Sequence, residues 1–286
     1  MSFRKKDLFE KNDSIIKIVL VYFVLLCFVV VSVYPILNVL SIALRPSNNL
    51  FSLSLKIIPD DATFANFTSV WKDTELPKWL LSSLIISSSA TLIGVLLSIT
   101  GGYAFSRFNF IGKKPGMVFL LISQMFPATM MLLPLYLMLM KLGFDNKISG
   151  LVIVYVATSI PFNIWILKGY FDTIPKSLEE SAFVDGASTI KAFYSIVLPL
   201  IKPAIALAAL NSFMGSWSEY ALARVIITDT DKFTLPLGLT NLQGAYQTSW
   251  GVYSAGALIT ALPIIILFVS LSKFLVGGLT LGSVKG

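Results

Sequence analysis

The feature that most constrains this chain is a set of long apolar runs that contain very few charged side chains. The first of them, Ile18 to Leu44, exceeds the roughly 20 residues that a helix needs to cross a bilayer. Of the 286 residues, 56% are hydrophobic and 13% are charged, and the mean hydropathy is +0.81. An ordinary soluble domain has about 25% charged residues. Because lipid offers the backbone no hydrogen-bond partner, the sequence predicts an all-α integral membrane protein.

The apolar runs divide into six predicted transmembrane helices, of which the fourth is the shortest. Their approximate bounds are Ile18–Ser41, Trp79–Phe105, Met117–Met140, Ser149–Leu167, Ile201–Leu222 and Val252–Phe274. The basic residues before Ile18 could suggest a signal peptide. The first run is longer than a signal-peptide core of about 7–15 residues, however, and no cleavage site follows it. We therefore interpret it as a retained transmembrane helix.

Lys and Arg are unevenly distributed between the two sets of connecting segments. Of the 22 basic residues, 14 lie in the set that contains both termini and the segment around Glu180, and 8 lie in the opposite set. Basic residues accumulate on the cytoplasmic side of membrane proteins, so both termini and the Glu180 segment are predicted to be cytoplasmic. This asymmetry also accounts for the formal charge of +7 without a nucleic-acid partner.

Several kinds of catalytic site are excluded by residues that the sequence lacks. The chain has no His, and its one Cys, Cys27, lies in the first apolar run. These counts exclude an intrachain disulfide, a Cys/His zinc site and a histidine-dependent triad. The phosphate-binding pattern G-x-x-x-x-G-K-[ST] is also absent. We predict that the chain is not an enzyme by itself and that it has no catalytic residues, metal or cofactor of its own.

Small and hydroxyl-bearing residues recur on two faces of the second predicted helix. One face, with residues four apart, consists of Ala90, Gly94, Ser98 and Gly102. The other consists of Ser83, Ser87 and Thr91. Because small residues let helices approach closely in lipid, helix packing is the favoured interpretation. A role for some of the hydroxyls in lining a pathway stays open.

Prolines and polar residues inside other spans mark candidate pathway positions. Pro127 and Pro134 are expected to break the third helix twice, which places it against protein or water. Glu219 is the one acid placed within a span, and it either lines the pathway or caps a polar contact between helices. The candidate pathway or intramembrane polar residues are Gln124, Asn211, Ser212 and Glu219.

A polar segment, residues 172–200, separates the fourth and fifth predicted spans. Ser177 and Glu180 have the spacing of a capping box that starts a short helix, and Gly186 is suited to end it. Ser188 can then cap a second helix. Because the first helix is too short to be stable alone, it must pack against something. The residues themselves leave open whether that support is the span ends, a partner's groove or the membrane surface.

The same segment carries a spaced motif: Glu-Ala-Ala, three residues, Gly, nine residues, Ile, one residue, Leu-Pro. The matching residues, with Ser in place of the first Ala, are Glu180, Ser181, Ala182, Gly186, Ile196, Leu198 and Pro199. The motif resembles the EAA loop of ABC-importer permeases. Residues 124–127, 168–171 and 277–286 further resemble the maltose-type sugar permeases of that family. The resemblance extends over nearly the whole chain.

This resemblance implies the type I ABC-importer permease fold, with the 172–200 loop as a coupling helix docked in an ATPase subunit. It implies an ATPase-facing tail formed by Ser283, Val284, Lys285 and Gly286. It implies a loop facing a sugar-binding protein, with Asn241, Gln243, Gly244 and Tyr246. The implied partners are a second, MalF-like permease, two ATPase subunits that bind ATP and Mg, an extracytoplasmic sugar-binding protein and membrane lipid, but no nucleic acid. The implied location is the bacterial cell membrane.

The chain is accordingly divided into three parts. Residues 1–78 hold the N-terminus, the first span and an extracytoplasmic loop, residues 79–276 the permease core, and residues 277–286 the cytoplasmic tail. The expected function is import of maltose, maltodextrin or a related oligosaccharide, driven by ATP hydrolysis on partner subunits. The alternative is a secondary transporter driven by an ion gradient, for which Glu219 alone is thin support. The lack of His and of paired acids within spans disfavours a membrane enzyme.

Overall fold

The computed structural model of the chain describes residues 15–46, 56–244 and 248–281, with side chains described as far as residue 274. Within these ranges the structure is helical and contains no β-strand. The α-helices, in chain order, are α1 (Ile15–Leu44), α2 (Ala65–Lys72), α3 (Leu76–Arg107), α4 (Lys113–Ser123), α5 (Leu132–Lys141), α6 (Ile148–Thr173), α7 (Ser177–Val184), α8 (Thr189–Ala192), α9 (Leu198–Leu200), α10 (Lys202–Ser218), α11 (Ala221–Ile226), α12 (Leu235–Asn241) and α13 (Trp250–Leu281).

Among the described residues, four helices are long and apolar enough to cross a bilayer: α1, α3, α6 and the Trp250–Phe274 part of α13. Two bent pairs of helices raise the number to six if each pair forms one span. Lys113–Ser123 and Ala128–Lys141 meet at 96°, and Thr189–Leu200 and Lys202–Ser218 meet at 74°. The predicted all-α membrane fold is confirmed, and the third and fifth predicted spans correspond to bent pairs rather than to straight helices.

The chain divides into two structural units. In the first, whose described residues are 15–46, 56–70 and 248–258, Asn66 Nδ2 donates to the carbonyl oxygens of Ala43 (2.9 Å) and Arg45 (2.7 Å). These bonds satisfy acceptors that have no partner inside α1, since a helix leaves its last carbonyls free. Of α1, only the last turn, Ser41 to Leu44, is buried. The rest of α1 therefore offers an apolar surface to lipid or to another membrane protein.

The second unit, whose described residues are 71–244 and 259–281, is built on α3, α6 and α10. A Cβ at Gly94 would lie 2.8 Å from Ser159 Oγ, and one at Gly102 would lie 3.0 Å from Leu167 Cβ. The predicted packing face of α3 is thus confirmed, and its partner is α6. Because the residue numbers rise together along this contact, α3 and α6 run parallel.

Helix α10 runs antiparallel to α6. Asn163 Nδ2 donates to Ser212 Oγ at 2.7 Å, and Tyr155 OH donates to Glu219 Oε2 at 2.8 Å, so the numbers rise on one helix as they fall on the other. A cluster of buried apolar side chains joins the three helices where α3 and α6 end and α10 begins. It consists of Val95, Ile99, Tyr103, Leu167, Phe171, Ile174, Val197, Ile201, Ala204 and Ala208.

The third and fourth predicted spans differ from the structure. The third is interrupted once, between Ser123 and Ala128, because Pro134 lies in the first turn of α5, where proline is tolerated. The fourth is not the shortest, since α6 continues to Thr173 and has 26 residues. Its added turns are polar, and an ion pair of 2.6 Å between Lys168 and Asp172, one helical turn apart, supports them.

Candidate functional site

Residues 177–200 form a helical hairpin that follows α6 and leads into α10; we call it the hairpin. Its first helix, α7, ends as the sequence predicts: Gly186 has a φ of 82°, a conformation that glycine adopts without steric cost. The amide of Gly186 donates to Phe183 O (3.0 Å) and that of Ala187 to Ala182 O (2.9 Å), the two bonds of a Schellman motif. The second helix, α8, begins with Ser188 Oγ accepting from the amide of Lys191 at 3.3 Å.

The predicted capping box at the start of α7 is wrong. The residue that caps α7 is Lys176, without a side-chain hydrogen bond, and Ser177 is already the first helical residue. The amides of Glu179 and Glu180 donate instead to Lys176 O, at 2.9 and 3.0 Å. Since the helix begins one residue earlier than the box requires, the Ser177 hydroxyl has no role as a cap.

The inner side of α7 is held by Glu179, which sequence reasoning missed. Its side chain is buried, and it accepts hydrogen bonds from Tyr103 OH at 2.7 Å and from Arg107 Nε. Close by, Ser106 Oγ donates to Asp172 Oδ1 at 2.6 Å. We call these residues the anchor cluster: Tyr103, Ser106, Arg107, Asp172 and Glu179. No local sequence motif predicts the anchor cluster, because its members are brought together only when α3 packs on α6.

The outer side of the hairpin is uncovered. Glu180 and Ser181 are exposed, whereas Ala182 is buried against the hairpin's second arm. Large apolar side chains lie beside them, and Val184 is 89% exposed and Ile190 70%. The other exposed large apolar residues of the hairpin are Leu178, Phe183, Tyr194 and Leu200. Of the remaining motif residues, Ile196 and Leu198 are half-buried and Pro199 is exposed.

A pocket of about 200 Å³ lies between the hairpin and the end of α3. Its lining includes Arg107 and Phe108 from the α3 side, Lys176 just before the hairpin, and Glu180 and Phe183 from the hairpin. Apolar rings and charged groups of both signs therefore meet at one depression.

A larger, open cavity, of about 450 Å³, lies in the second unit, beside the break that follows α4 and along α6 and α10. The four residues predicted as pathway or intramembrane polar positions, Gln124, Asn211, Ser212 and Glu219, all line it. Further lining groups come from the following residues: Ala128, Tyr155, Thr158, Ser159, Phe162, Gly215, Ser216 and Leu222. Three regions that are distant in sequence thus contribute carboxamides, hydroxyls and one carboxylate to a single space.

Glu219 lies at the break between α10 and α11 and not within a helix, which corrects its predicted position. Its backbone is extended, so α10 stops there, and the carboxylate accepts from the amides of Leu222 (2.8 Å) and Ala223 (3.1 Å) at the start of α11. The same carboxylate accepts the hydrogen bond from Tyr155 on α6. Of the two alternatives left open by the sequence, the structure shows the polar contact between helices. Glu219 also lines the cavity, but its role in a pathway stays a prediction.

The opposite end of the unit, away from the hairpin, is closed by α12. Trp79 Nε1 donates to Thr230 O at 2.7 Å, and the indole ring packs directly on Gly238 of α12. Leu235, the first residue of α12, donates its amide to Ser83 Oγ at 2.7 Å. This part of the connection between α11 and α13 packs on the chain's own helices. One of the predicted hydroxyl positions on α3 thus serves as an acceptor for α12.

A polar turn stabilises this end. Asn146, with a φ of 51°, accepts the amides of Thr228 (3.1 Å) and Asp229 (3.2 Å) on its side-chain oxygen. Lys232 donates to the Asp229 carboxylate at 2.7 Å, and this hydrogen bond, with a further contribution from Asn146, lowers the pKa of Asp229. Because its pKa is lowered, the ionised Asp229 carboxylate stabilises the folded turn. This stabilisation is lost as the pH falls into the acidic range and the carboxylate is protonated.

The predicted loop and tail contacts are partly outside the described residues. Asn241, Gln243 and Gly244 are exposed where α12 ends. Tyr246 lies outside the described residues, and so does the whole predicted tail: Ser283, Val284, Lys285 and Gly286. The assignment of these residues to a binding protein and to ATPases stays a prediction.

Comparison with known families adds to this geometry. A family model described as "Binding-protein-dependent transport system inner membrane component" matches residues 90–277, which is more than half of the chain. The chain belongs to this family. The matched range contains the hairpin, the anchor cluster and every residue that lines the large cavity. The chain is therefore a multi-pass membrane component of a transport system.

Two curated relatives align with almost the whole chain. The maltodextrin transport system permease protein MalD of Streptococcus pneumoniae is 39% identical over 269 residues, which cover 93% of this chain and 95% of the relative. The galactooligosaccharides transport system permease protein GanQ of Bacillus subtilis is 37% identical over 276 residues, which cover 95% and 96%.

A solved structure shares the fold. The crystal structure of a bacterial ABC transporter involved in the import of the acidic polysaccharide alginate superposes with a TM-score of 0.79 at 22% identity, covering 93% of this chain and 99% of that chain. The agreement confirms the predicted type I permease fold of ABC importers. At this level of identity it carries no information on substrate.

Proposed function

We propose that this chain is a permease subunit of an ABC importer that moves an oligosaccharide of the maltodextrin class, or a closely related one, across the bacterial cell membrane. The relatives named above support the substrate class, since the names of both refer to oligosaccharides. The observation that carries the proposal is the hairpin: a short helix, fixed to the membrane helices on one side, exposes apolar residues and Glu180 on the other.

The exposed side of the hairpin is a docking surface for an ATPase subunit. An eight-residue helix gains little stability from its own hydrogen bonds, and uncovered side chains such as Val184 and Ile190 favour burial against a partner. ATP and Mg are bound by that partner and by a second copy of it. The tail residues Ser283, Val284, Lys285 and Gly286 contact the same subunits.

The large cavity is this chain's half of the translocation pathway. Sugar hydroxyls pair well with carboxamides and hydroxyls, and Gln124, Asn211 and Ser212 supply such groups. The side chain of Asn211 is exposed, so a second, related permease subunit is needed to close the space. At the end opposite the hairpin, a sugar-binding protein contacts the loop that holds Asn241, Gln243, Gly244 and Tyr246. The hairpin, both termini and the ATPases lie on the cytoplasmic side.

Transport results from mechanical coupling of the ATPases, through the hairpin, to the helices around the cavity. Binding of ATP brings the two ATPases together, the hairpin moves with them, and the helices around the cavity change from inward-facing to outward-facing. The change is a rigid-body transition between two states, biased by the difference in ATP affinity between them. The family match leaves the ion-gradient-driven alternative without support.

The proposal is tested with the complete complex in proteoliposomes, supplied with its binding protein and labelled maltotriose. We expect uptake that requires ATP and does not occur with an imposed proton or sodium gradient alone. Glu180→Arg should abolish the sugar-stimulated part of ATP hydrolysis, because a cation replaces the acid on the docking surface. Glu75→Arg is the matched control, since Glu75 is an exposed acid at the opposite end of α3.

Two results would count against this function. Uptake of maltotriose without ATP, sustained by an ion gradient, would favour secondary transport. Normal stimulation of ATP hydrolysis in the Glu180→Arg complex would remove the docking role from the hairpin.

A further inference from the structure

Arg107, the last residue of α3, joins three segments through one side chain. Its Nε donates to Glu179 of α7, its Nη1 to the carbonyl oxygen of Phe171 (2.9 Å) and its Nη2 to that of Ile174 (3.0 Å). Phe171 lies in the last turn of α6, and Ile174 begins the connection to α7. The guanidinium therefore donates to two carbonyl groups at the end of α6, of which that of Phe171 also accepts the amide of Ile174 (3.1 Å), and it holds α7 at the same time.

Tyr103, one turn earlier on α3, contacts both arms of the hairpin. Its hydroxyl donates to Glu179 on α7, and the centroid of its ring lies 4.7 Å from that of Phe193, which follows α8. The ring also lies 5.5 Å from that of Phe171. The anchor cluster thus fixes the hairpin from two directions rather than at one point.

Burial of the ion pair between Arg107 and Glu179 indicates that the anchor cluster orients the hairpin. The side chains of Arg107 and Glu179 are 8% and 6% exposed. Removing two charges from water costs so much that apolar residues of similar size often stabilise a fold equally well. An ion pair differs from apolar packing in direction, because the planar guanidinium presents its donors in a fixed fork. The Arg107 side chain therefore sets the angle between the hairpin and α3 more strictly than apolar contacts would.

We propose that Arg107 is a positioning residue for energy coupling: it fixes the hairpin on α3 so that a displacement of the hairpin reaches the cavity undiminished. This inference rests on the proposed function and deepens it, because it names the contact through which the hairpin acts. From Arg107, α3 continues along α6, and α6 supplies Tyr155 and Ser159 to the cavity wall. The packed route from the hairpin to the cavity is continuous.

The test measures how many maltotriose molecules enter proteoliposomes for each ATP hydrolysed by the complete complex. In the double variant Arg107→Met with Glu179→Met, the charges are removed together, so no buried charge is left unpaired. We expect this variant to assemble and to hydrolyse ATP, but to transport at least about fivefold less sugar per ATP, the lower end of typical coupling between sites. Arg107→Lys keeps the charge and some donors, and should recover part of the loss. Glu75→Gln, which removes an exposed acid from the other end of α3, should leave the ratio unchanged.

The outcomes separate the two proposals. Wild-type proteoliposomes that take up no maltotriose on addition of ATP would overturn the proposed function, and this inference with it. Normal wild-type transport with an unchanged ratio in the double variant would overturn only the role of Arg107. Failure of both the double variant and Arg107→Lys to assemble would assign Arg107 to folding and would equally overturn it.

Discussion

Neighbouring residues of the hairpin have opposite environments. Successive residues of an α-helix are rotated by about 100°, so Glu179 is buried while Glu180 is exposed at the pocket beside the end of α3. The sequence motif identified Glu180 by its spacing to Gly186, and the structure adds Glu179 as the acid that holds the helix. Local spacing could predict the ends of the helices, such as Gly186 and Ser188. It could not predict the pairing of Glu179 with Arg107, because that depends on tertiary packing.

Glu219 gives a prediction at this scale. Replacing it with Ala leaves the Tyr155 hydroxyl and the amides of Leu222 and Ala223 without their acceptor. An unsatisfied buried donor costs about 1–3 kcal/mol, so we expect Glu219→Ala to lower the free energy of unfolding of the purified protein in detergent by about that amount. Glu219→Gln retains a carbonyl acceptor and should lose clearly less. Equal stability of the Ala variant and the wild type would show that these hydrogen bonds contribute little.

The sequence predicted which helices form better than it predicted where they are interrupted. The packing face of α3 follows from the spacing of Gly94 and Gly102, and the break before α5 follows from Pro127. The end of α10 at Glu219 was not predicted, because the residues there are compatible with a helix. The extended backbone at Glu219 is stabilised by its bonds to α11 and α6, which are contacts between elements. A proline therefore marks only a candidate break, since Pro127 coincides with one and Pro134 does not, and breaks caused by tertiary hydrogen bonds cannot be predicted from the local sequence.

The packing of α3 on α6 can be tested by a change in size. Gly102→Leu places a side chain where even a Cβ would lie 3.0 Å from Leu167 Cβ and 3.2 Å from the backbone nitrogen of Lys168. We expect overpacking to lower the free energy of unfolding by about 1–3 kcal/mol. Thr100→Leu, on the exposed side of the same helix, is the matched control and should have little effect. Similar thermal unfolding of both variants would mean that the glycine face is not a packing constraint.

At the level of the whole molecule, the proposed topology has an even number of crossings, which would place the hairpin and both termini on one side of the membrane. Composition and apolar length were sufficient to predict the class of fold, because they reflect the solvent in which the protein lies. The division into two structural units could not be read from the sequence, since the segment 248–258 joins the first unit from far along the chain.

The topology is tested by thiol labelling, which the chain makes simple because Cys27 is its only cysteine. In a Cys27→Ala background, Ser181→Cys should react with a membrane-impermeant maleimide in inside-out vesicles, and Gln243→Cys in right-side-out vesicles. Both positions are exposed in the structure, so access depends on the side of the membrane alone. Labelling of both cysteines in the same vesicle orientation would contradict the proposed arrangement.

The uncovered side chains of the hairpin also bear on how cells make such a protein. A copy synthesised without its ATPase would present Val184, Ile190 and their neighbours to water, and surfaces of this kind promote aggregation. Chaperones and proteases remove proteins that fail to bury such groups. Surplus copies would therefore be short-lived, and the abundance of the transporter would follow that of its scarcest subunit.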